Sequence, residues 1–163
     1  MATRRRMDEG RPAGSTRTTI FVDADGCPVK DEVYRVARRY GVHVTVVANS
    51  WMRVPEEDGF ELAVVEGGFD AADDWIAERA GERDIVVTAD IPLADRCLKS
   101  GARVLGPRGR EFTHDSIGEA MAARSLSAEL RDMGIQTEGP DPFGKKDRSR
   151  FLQALDAMLQ GSG

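Results

Sequence analysis

The chain of 163 residues lacks the marks of several common protein classes. It has two cysteines, Cys27 and Cys97, and they form neither a CxxC pair nor a framework of even spacings. A structural zinc site and a secreted disulfide scaffold are therefore not indicated, and both thiols are expected to be reduced. No apolar run is long enough to span a bilayer, and no apolar segment follows the arginine-rich start as it would in a signal peptide. The expectation is a soluble, cytoplasmic protein with no membrane contact. There is no excess of positive charge, since the formal net charge is −5. A purely electrostatic nucleic-acid binder is usually basic, so the sum speaks against that class. Acidic residues grouped around a cation would make the sum misleading, because a bound metal inverts the local field. There is no GxSxG, no Cys–His pairing with a plausible base and no GxxxxGK[ST] loop. Catalysis by a protein nucleophile and NTP hydrolysis of the P-loop kind thus lack support.

What the chain does have is alternation. Its apolar content of 40% is enough for one globular core. Residues 1–16 show no hydrophobic periodicity and hold Arg4, Arg5, Arg6 and Arg11, so a disordered basic tail is expected, as a solvated extension or as an arm for nucleic acid. From residue 17 to 160 a single domain is expected. "TTIFV" (18–22) reads as a strand buried on both faces. "PVKDEVYRVARRYG" follows with Val29, Val33, Val36 and Ala37 at helical spacing, between Pro28 and Gly41. Strands are read at "VHVTVVA", "ELAVVE", "DIVVTA" and "ARVLG". Helices are read at "DAADDWIAERAG", "IPLADRCLKSG", "DSIGEAMAARSLSAELRDMG" and "DRSRFLQALDAMLQG", with "GPRGREFTH" as a loop. Strand–helix alternation of this kind predicts an α/β fold: three layers, a mostly parallel five-stranded sheet and helices on both faces.

In open α/β sheets function gathers beyond the carboxyl ends of the strands, and that is where this chain places aspartates. The first strand ends at Asp23 and Asp25, and the fourth at Asp90, with Asp95 following. Asp70, Asp73 and Asp74 stand at i, i+3 and i+4 on one helix face, where they serve either as first-turn charge or as ligands. Asp23 and Asp90 each follow an apolar β run directly. An unpaired carboxylate buried there would cost several kcal/mol or protonate, and a divalent cation with oxygen ligands removes the conflict. Mg²⁺ or Mn²⁺ suits an all-oxygen set formed from Asp23, Asp25, Asp70, Asp74, Asp90 and Asp95, and His43 and His114 fall outside it. Such an ion, with open water positions, suits attack on phosphorus. Arg108 and Arg110, on a glycine-flanked loop, are candidates for substrate phosphate, or else solvated arginines of an ordinary turn. Lys145, Lys146, Arg148 and Arg150 form a second basic cluster that suits a nucleic-acid backbone or a solvated helix start.

The blocks "VDADGCPVKDEVYRVA", "GGFDAADDWIAERA", "DIVVTADIPLADRCL", "GPRGREFT" and "GPDPFGKKDRSRFLQALD" resemble, in order, the YaiI/YqxD family of uncharacterised bacterial proteins over about residues 18–160. The resemblance implies a fold similar to the PIN-like nucleases, a metal-dependent superfamily that includes the flap endonucleases. "AADDWI" resembles the "EADDxI" helix of flap-type 5′ nucleases, which makes Asp73 and Asp74 metal-site residues. "VVTADIPL" resembles their "VTxDxDL" strand end, with Asp90 as its first aspartate, and Asp23 matches the aspartate that closes their first strand. Together these imply catalytic residues Asp23, Asp73, Asp74 and Asp90 and a single-stranded nucleic acid, with RNA favoured, as substrate. Ala71 and Pro92 stand where that pattern has acids, and Asp70 and Asp95 are the available substitutes.

Two rival readings stay open on the residues alone. One is a nucleic-acid- or protein-binding module of the same fold without catalysis, which the two replaced acids favour. The other is a haloacid-dehalogenase-like phosphatase, in which Asp23 of "DADGC" would be the nucleophile and Asp25 the acid/base. The immediate helix start after Pro28 leaves little room for the hairpin that reading needs. Cys27 is expected to be a packed, unreactive thiol, since neighbouring Asp23 and Asp25 disfavour a thiolate.

Overall fold

A computed structural model of the chain describes residues 17–68, 70–136 and 142–161. The expected basic tail lies outside the described residues. The first strand, β1 (Thr19–Asp23), is buried at all five positions, as a continuous apolar run at the centre of a sheet should be. It pairs in parallel with β2 (His43–Ala48) on one side and with β4 (Ile85–Val87) on the other. Beyond β2 lies β3 (Phe60–Val64), and beyond β4 lies β5 (Arg103–Leu105), both again parallel.

The sheet has six strands in the order β3-β2-β1-β4-β5-β6, one more than the sequence predicts. The sixth, β6 (Glu111–Phe112), runs antiparallel to β5 inside the segment read as a loop. Two residues are too few to show the period-2 alternation that marks a strand. The hairpin closes through Gly106, whose N–H donates to the Arg110 carbonyl at 2.9 Å.

Side chains of β1 alternate between two cores, as the pleat requires. Ile20 and Val22 face α1 (Lys30–Tyr40) and α5 (Lys145–Gly161), joining Val33, Val36, Phe151 and Leu155. Phe21 faces the opposite layer, α2 (Ala71–Arg79), α3 (Ile91–Lys99) and α4 (His114–Asp132), joining Trp75, Ile76, Leu93 and Ile117. The three-layer α/β expectation therefore holds. Helix α1 starts at Lys30 rather than at Pro28, because residues 28 and 29 form a turn. Its end is set by Gly41, whose left-handed φ of 65° lets its N–H reach the Ala37 carbonyl.

The chain builds outward from β1 to β3, then crosses back over α2 to add β4 on the other flank. The order reverses between β1 and β4, and a crevice opens at their carboxyl ends. Asp23 closes β1 there, and the Thr88–Asp90 segment leaves β4 beside it.

Candidate functional site

The crevice is organised by one hydrogen-bonded chain of side chains and backbone. Asp23 is only 7% exposed. Its Oδ2 accepts a hydrogen bond of 2.8 Å from the hydroxyl of Thr88, itself buried just beyond β4. The Thr88 Oγ1 accepts in turn from the Asp90 N–H at 3.0 Å. Asp90 then caps α3: its Oδ1 accepts from the Leu93 N–H at 3.0 Å, and Pro92 sits in the first turn, where its missing N–H costs nothing. Thr88 thus links two strand-end carboxylates, a role invisible in a sequence where threonine is an ordinary strand residue. The available signal was a hydroxyl two positions before a capping aspartate.

Asp73, in the first turn of α2, faces the same crevice. Its carboxyl is pushed up to about 6 by burial, then by the negative charges of Asp90, Asp23 and Asp70, with Arg96 opposing them. Asp23 is also raised, chiefly by burial. The Thr88 hydrogen bond opposes that shift, and the charge of Asp90 adds to it. Three carboxylates from β1, α2 and the start of α3 therefore share one electrostatic neighbourhood. Like charges held so close are a strain that protonation or a cation relieves.

The structure places the other predicted residues differently. Asp70 is exposed at the N-cap of α2 and makes no capping hydrogen bond with its side chain. Asp74 is exposed and paired with Arg96 at 2.7 Å. Asp95 pairs with Lys99 one turn along α3, at 2.9 Å. Asp25 is exposed in the turn after β1, and a backbone hydrogen bond at Asp25 lowers the Asp23 carboxyl. No strand lies between Asp23 and Lys30, so the pair Asp23–Asp25 is not followed by the hairpin that a dehalogenase-like phosphatase requires. His43 opens β2, at the sheet edge opposite to the crevice, and His114 opens α4. Cys27 is buried, and burial raises its thiol, as a packed thiol should be.

Among the described residues, no three His, Cys, Asp or Glu side chains converge into a ready-made ligand set. The all-oxygen donors and their mutual repulsion fit a hard cation all the same. Mg²⁺ commonly keeps several waters and is held by one or two carboxylates together with substrate phosphates, not by a full protein cage. A cleft of about 320 Å³ opens beside Asp23 on its β2 side, bounded by Asp25, Asn49, Ser50, Met52 and Ala72. Arg108 and Arg110 stand on the other flank, on the loop between β5 and β6. Arg108 pairs with Asp147 at 3.1 Å, and the exposed Arg110 lies over the Phe112 ring. Of the second basic cluster, Arg148 donates to the Pro28 carbonyl at 2.6 Å, while Lys145 and Lys146 are exposed.

Comparison with known proteins gives a consistent result. Residues 21–161 match the YaiI/YqxD family, described as uncharacterised. A UPF0178 protein of Sphingopyxis alaskensis is 62% identical over 141 residues, 86% of this chain and 92% of that protein. One from Caulobacter sp. is 60% identical over 142 residues, covering 87% and 94%. A third, from Caulobacter vibrioides, is 58% identical over 141 residues, covering 86% and 92%. Among the described residues, no helix is long and apolar enough to cross a membrane.

Proposed function

The chain belongs to the YaiI/YqxD family, and from the geometry of its crevice we propose that it is a divalent-metal-dependent phosphodiesterase acting on nucleic acid, with single-stranded RNA as the favoured substrate. The observation that carries this reading is the placing of Asp23, Asp73 and Asp90 around the switch point of the sheet, where burial raises the Asp23 and Asp73 carboxyls and the charge of Asp90 adds to both shifts. Asp23 and Asp90 would hold Mg²⁺ or Mn²⁺ from the two strand ends, with Asp73 across the crevice. A cation held there would lower the pKa of a bound water and stabilise the negative charge on the phosphate and leaving-group oxygens.

The protein's own part is positioning. Thr88 fixes the Asp23 carboxylate by donating to Oδ2, and a backbone hydrogen bond at Asp25 also favours its charged form. The cap of α3 fixes Asp90 in the same way, through Oδ1. Arg110 supplies a cation to a phosphate on the β5 flank. Asp74 and Asp95 are occupied by ion pairs, so the reading rests on neither of them.

Calorimetric titration of Mn²⁺ into the wild type, Asp23→Asn and Asp90→Asn tests this reading. Asparagine caps helices about as well as aspartate, so Asp90→Asn keeps the start of α3 while removing the charge. Binding in the wild type that falls at least tenfold in both variants, with single-stranded RNA cut only by the wild type, is the expected result. A wild type that binds no Mn²⁺ at millimolar concentration sinks the catalytic reading. That result leaves the binding module without catalysis, which the replaced acids at Ala71 and Pro92 favour.

A further inference from the structure

Beside the acidic crevice lies a second cleft, of about 430 Å³, walled by Gly26, Pro28, Ala89, Pro107, Phe112 and Phe143. The chain position of Ala89, between Thr88 and Asp90, places one wall within the acidic segment itself. The volume falls in the range of pockets that hold small organic ligands, about 300–1,000 Å³. Its lining is mainly apolar and aromatic, yet Arg108 and Arg110 stand at its rim.

The walls are held in place before any ligand arrives. Phe143 is clasped by two guanidinium groups, Arg108 at 5.6 Å and Arg148 at 5.2 Å from its ring centre. Arg148 also donates to the Pro28 carbonyl, tying the Phe143 wall to the Pro28 wall. Arg108 pairs with Asp147, whose carboxylate also accepts the Gly144 N–H at 3.0 Å. The loop of Arg108 and Arg110 is seated on α5 at Gly109, where an added Cβ would lie 2.7 Å from the Arg150 backbone.

We propose that this cleft is a base-binding subsite, which takes one unpaired base of a single-stranded nucleic acid and passes the adjoining phosphate to the acidic crevice. This inference deepens the phosphodiesterase reading and rests on it for the direction of the strand. Three features select this occupant. A flat base meets a lining of Pro28, Pro107, Phe112 and Phe143 with the Arg108 and Arg110 guanidinium groups beside the rings, and bases stack on aromatic side chains and arginines without regard to sequence. The exposed cation at Arg110 complements the phosphate attached to that base. Ala89, in the wall of this cleft, is the chain neighbour of Asp90, which sets the cleft next to the acidic segment. A duplex hides its bases and cannot enter, so the subsite selects single strands.

The test is calorimetric titration of an octa-adenylate RNA in EDTA, where no cutting can occur. The probe is compared with an abasic octamer, which keeps the phosphates and removes the bases. Two variants accompany it: Ala89→Phe, which fills the cleft from an exposed position, and Arg110→Ala. Stacking of one base corresponds to about a tenfold or greater change in affinity. The expected result is binding of octa-adenylate by the wild type, with a loss of about tenfold for the abasic strand and for each variant, while both variants keep the wild-type far-ultraviolet circular dichroism spectrum. The inference is overturned by a wild type that fails to bind octa-adenylate, by an abasic strand that binds equally well, or by folded variants with unchanged RNA affinity. Should Ala89→Phe misfold, the abasic comparison and Arg110→Ala decide alone. Base-dependent RNA binding in a wild type that takes up no Mn²⁺ would refute the phosphodiesterase reading and leave the subsite standing.

Discussion

At the scale of single residues, the notable feature is a carboxylate kept under repulsion. Asp73 has an ordinary value of 3.8 and is pushed up to about 6 in the folded chain, by burial first and then by Asp90, Asp23 and Asp70. In the metal-free protein, the native state therefore binds more protons than the unfolded chain between those two values. Stability must then fall as pH rises from about 4 to about 6, with the cost complete above 6 and absent below 3.8. In EDTA, Asp73→Asn should thus raise stability above pH 6 by about 1 kcal/mol, allowing for solvent screening at a half-buried site. The gain should vanish below pH 4. Urea denaturation of the two proteins at both ends of that range checks this, and a variant less stable than wild type above pH 6 would contradict it. Asp23 and Asp90 were legible because a carboxylate directly after a buried β run has few innocent explanations. Thr88 was not, since nothing in a β-branched residue announces that its hydroxyl points at a carboxylate on another strand. The choice between Asp73 and Asp74 was not legible either. Neighbours on a helix differ only in azimuth, and burial of Ala72, Trp75 and Ile76 turns Asp73 inward and leaves Asp74 to Arg96.

At the scale of elements, helices and long strands were readable from their periodicity, whereas the β5–β6 hairpin was not. Its sequence offers glycines, a proline and two arginines, the composition of a loop. Its conformation depends on α5, some forty residues further along, against which Gly109 packs. Gly109 has a φ of 89°, which only glycine adopts without strain, and a Cβ there would meet the Arg150 carbonyl carbon at 2.7 Å. Gly109→Ala should therefore destabilise the protein by about 1–3 kcal/mol and displace the arginine loop. A thermal melt gives the first quantity, and weaker binding of octa-adenylate gives the second. A variant with wild-type stability would show that the loop does not depend on α5. Pro92 carries a similar lesson. Judged against a nuclease motif it is a lost acid, but within this chain it is part of a helix start that Asp90 caps. The proline at this position thus strengthens the helix start that Asp90 caps.

At the scale of the whole molecule, the alternation of strands and helices specified a parallel sheet but not the order of its strands. That order rests on contacts between distant segments, such as the Thr19 N–H donating to the buried Asp84 carboxylate 65 residues away. Only the order creates a crevice between β1 and β4 and brings Asp23 to Thr88. A site built in this way should make cation binding and global stability one property, since an ion held by residues from β1, α2 and α3 binds the native state and not the unfolded chain. At a hundred times its dissociation constant such an ion adds about 2.7 kcal/mol. For a chain of this length that corresponds to a rise in melting temperature of about 5–11 °C. Wild type, Asp74→Ala and Asp95→Ala should all show that rise with Mn²⁺, because the two aspartates are engaged in ion pairs outside the trio. Asp23→Asn and Asp90→Asn should not. Differential scanning fluorimetry with and without Mn²⁺ separates the two groups. If Asp74→Ala lost the rise as completely as Asp90→Asn, the ion would have to sit on the α2–α3 side of the crevice, with Arg96 displaced from Asp74. The strand end of β1 would then be a structural carboxylate held by Thr88, and the crevice would owe its chemistry to the helices alone.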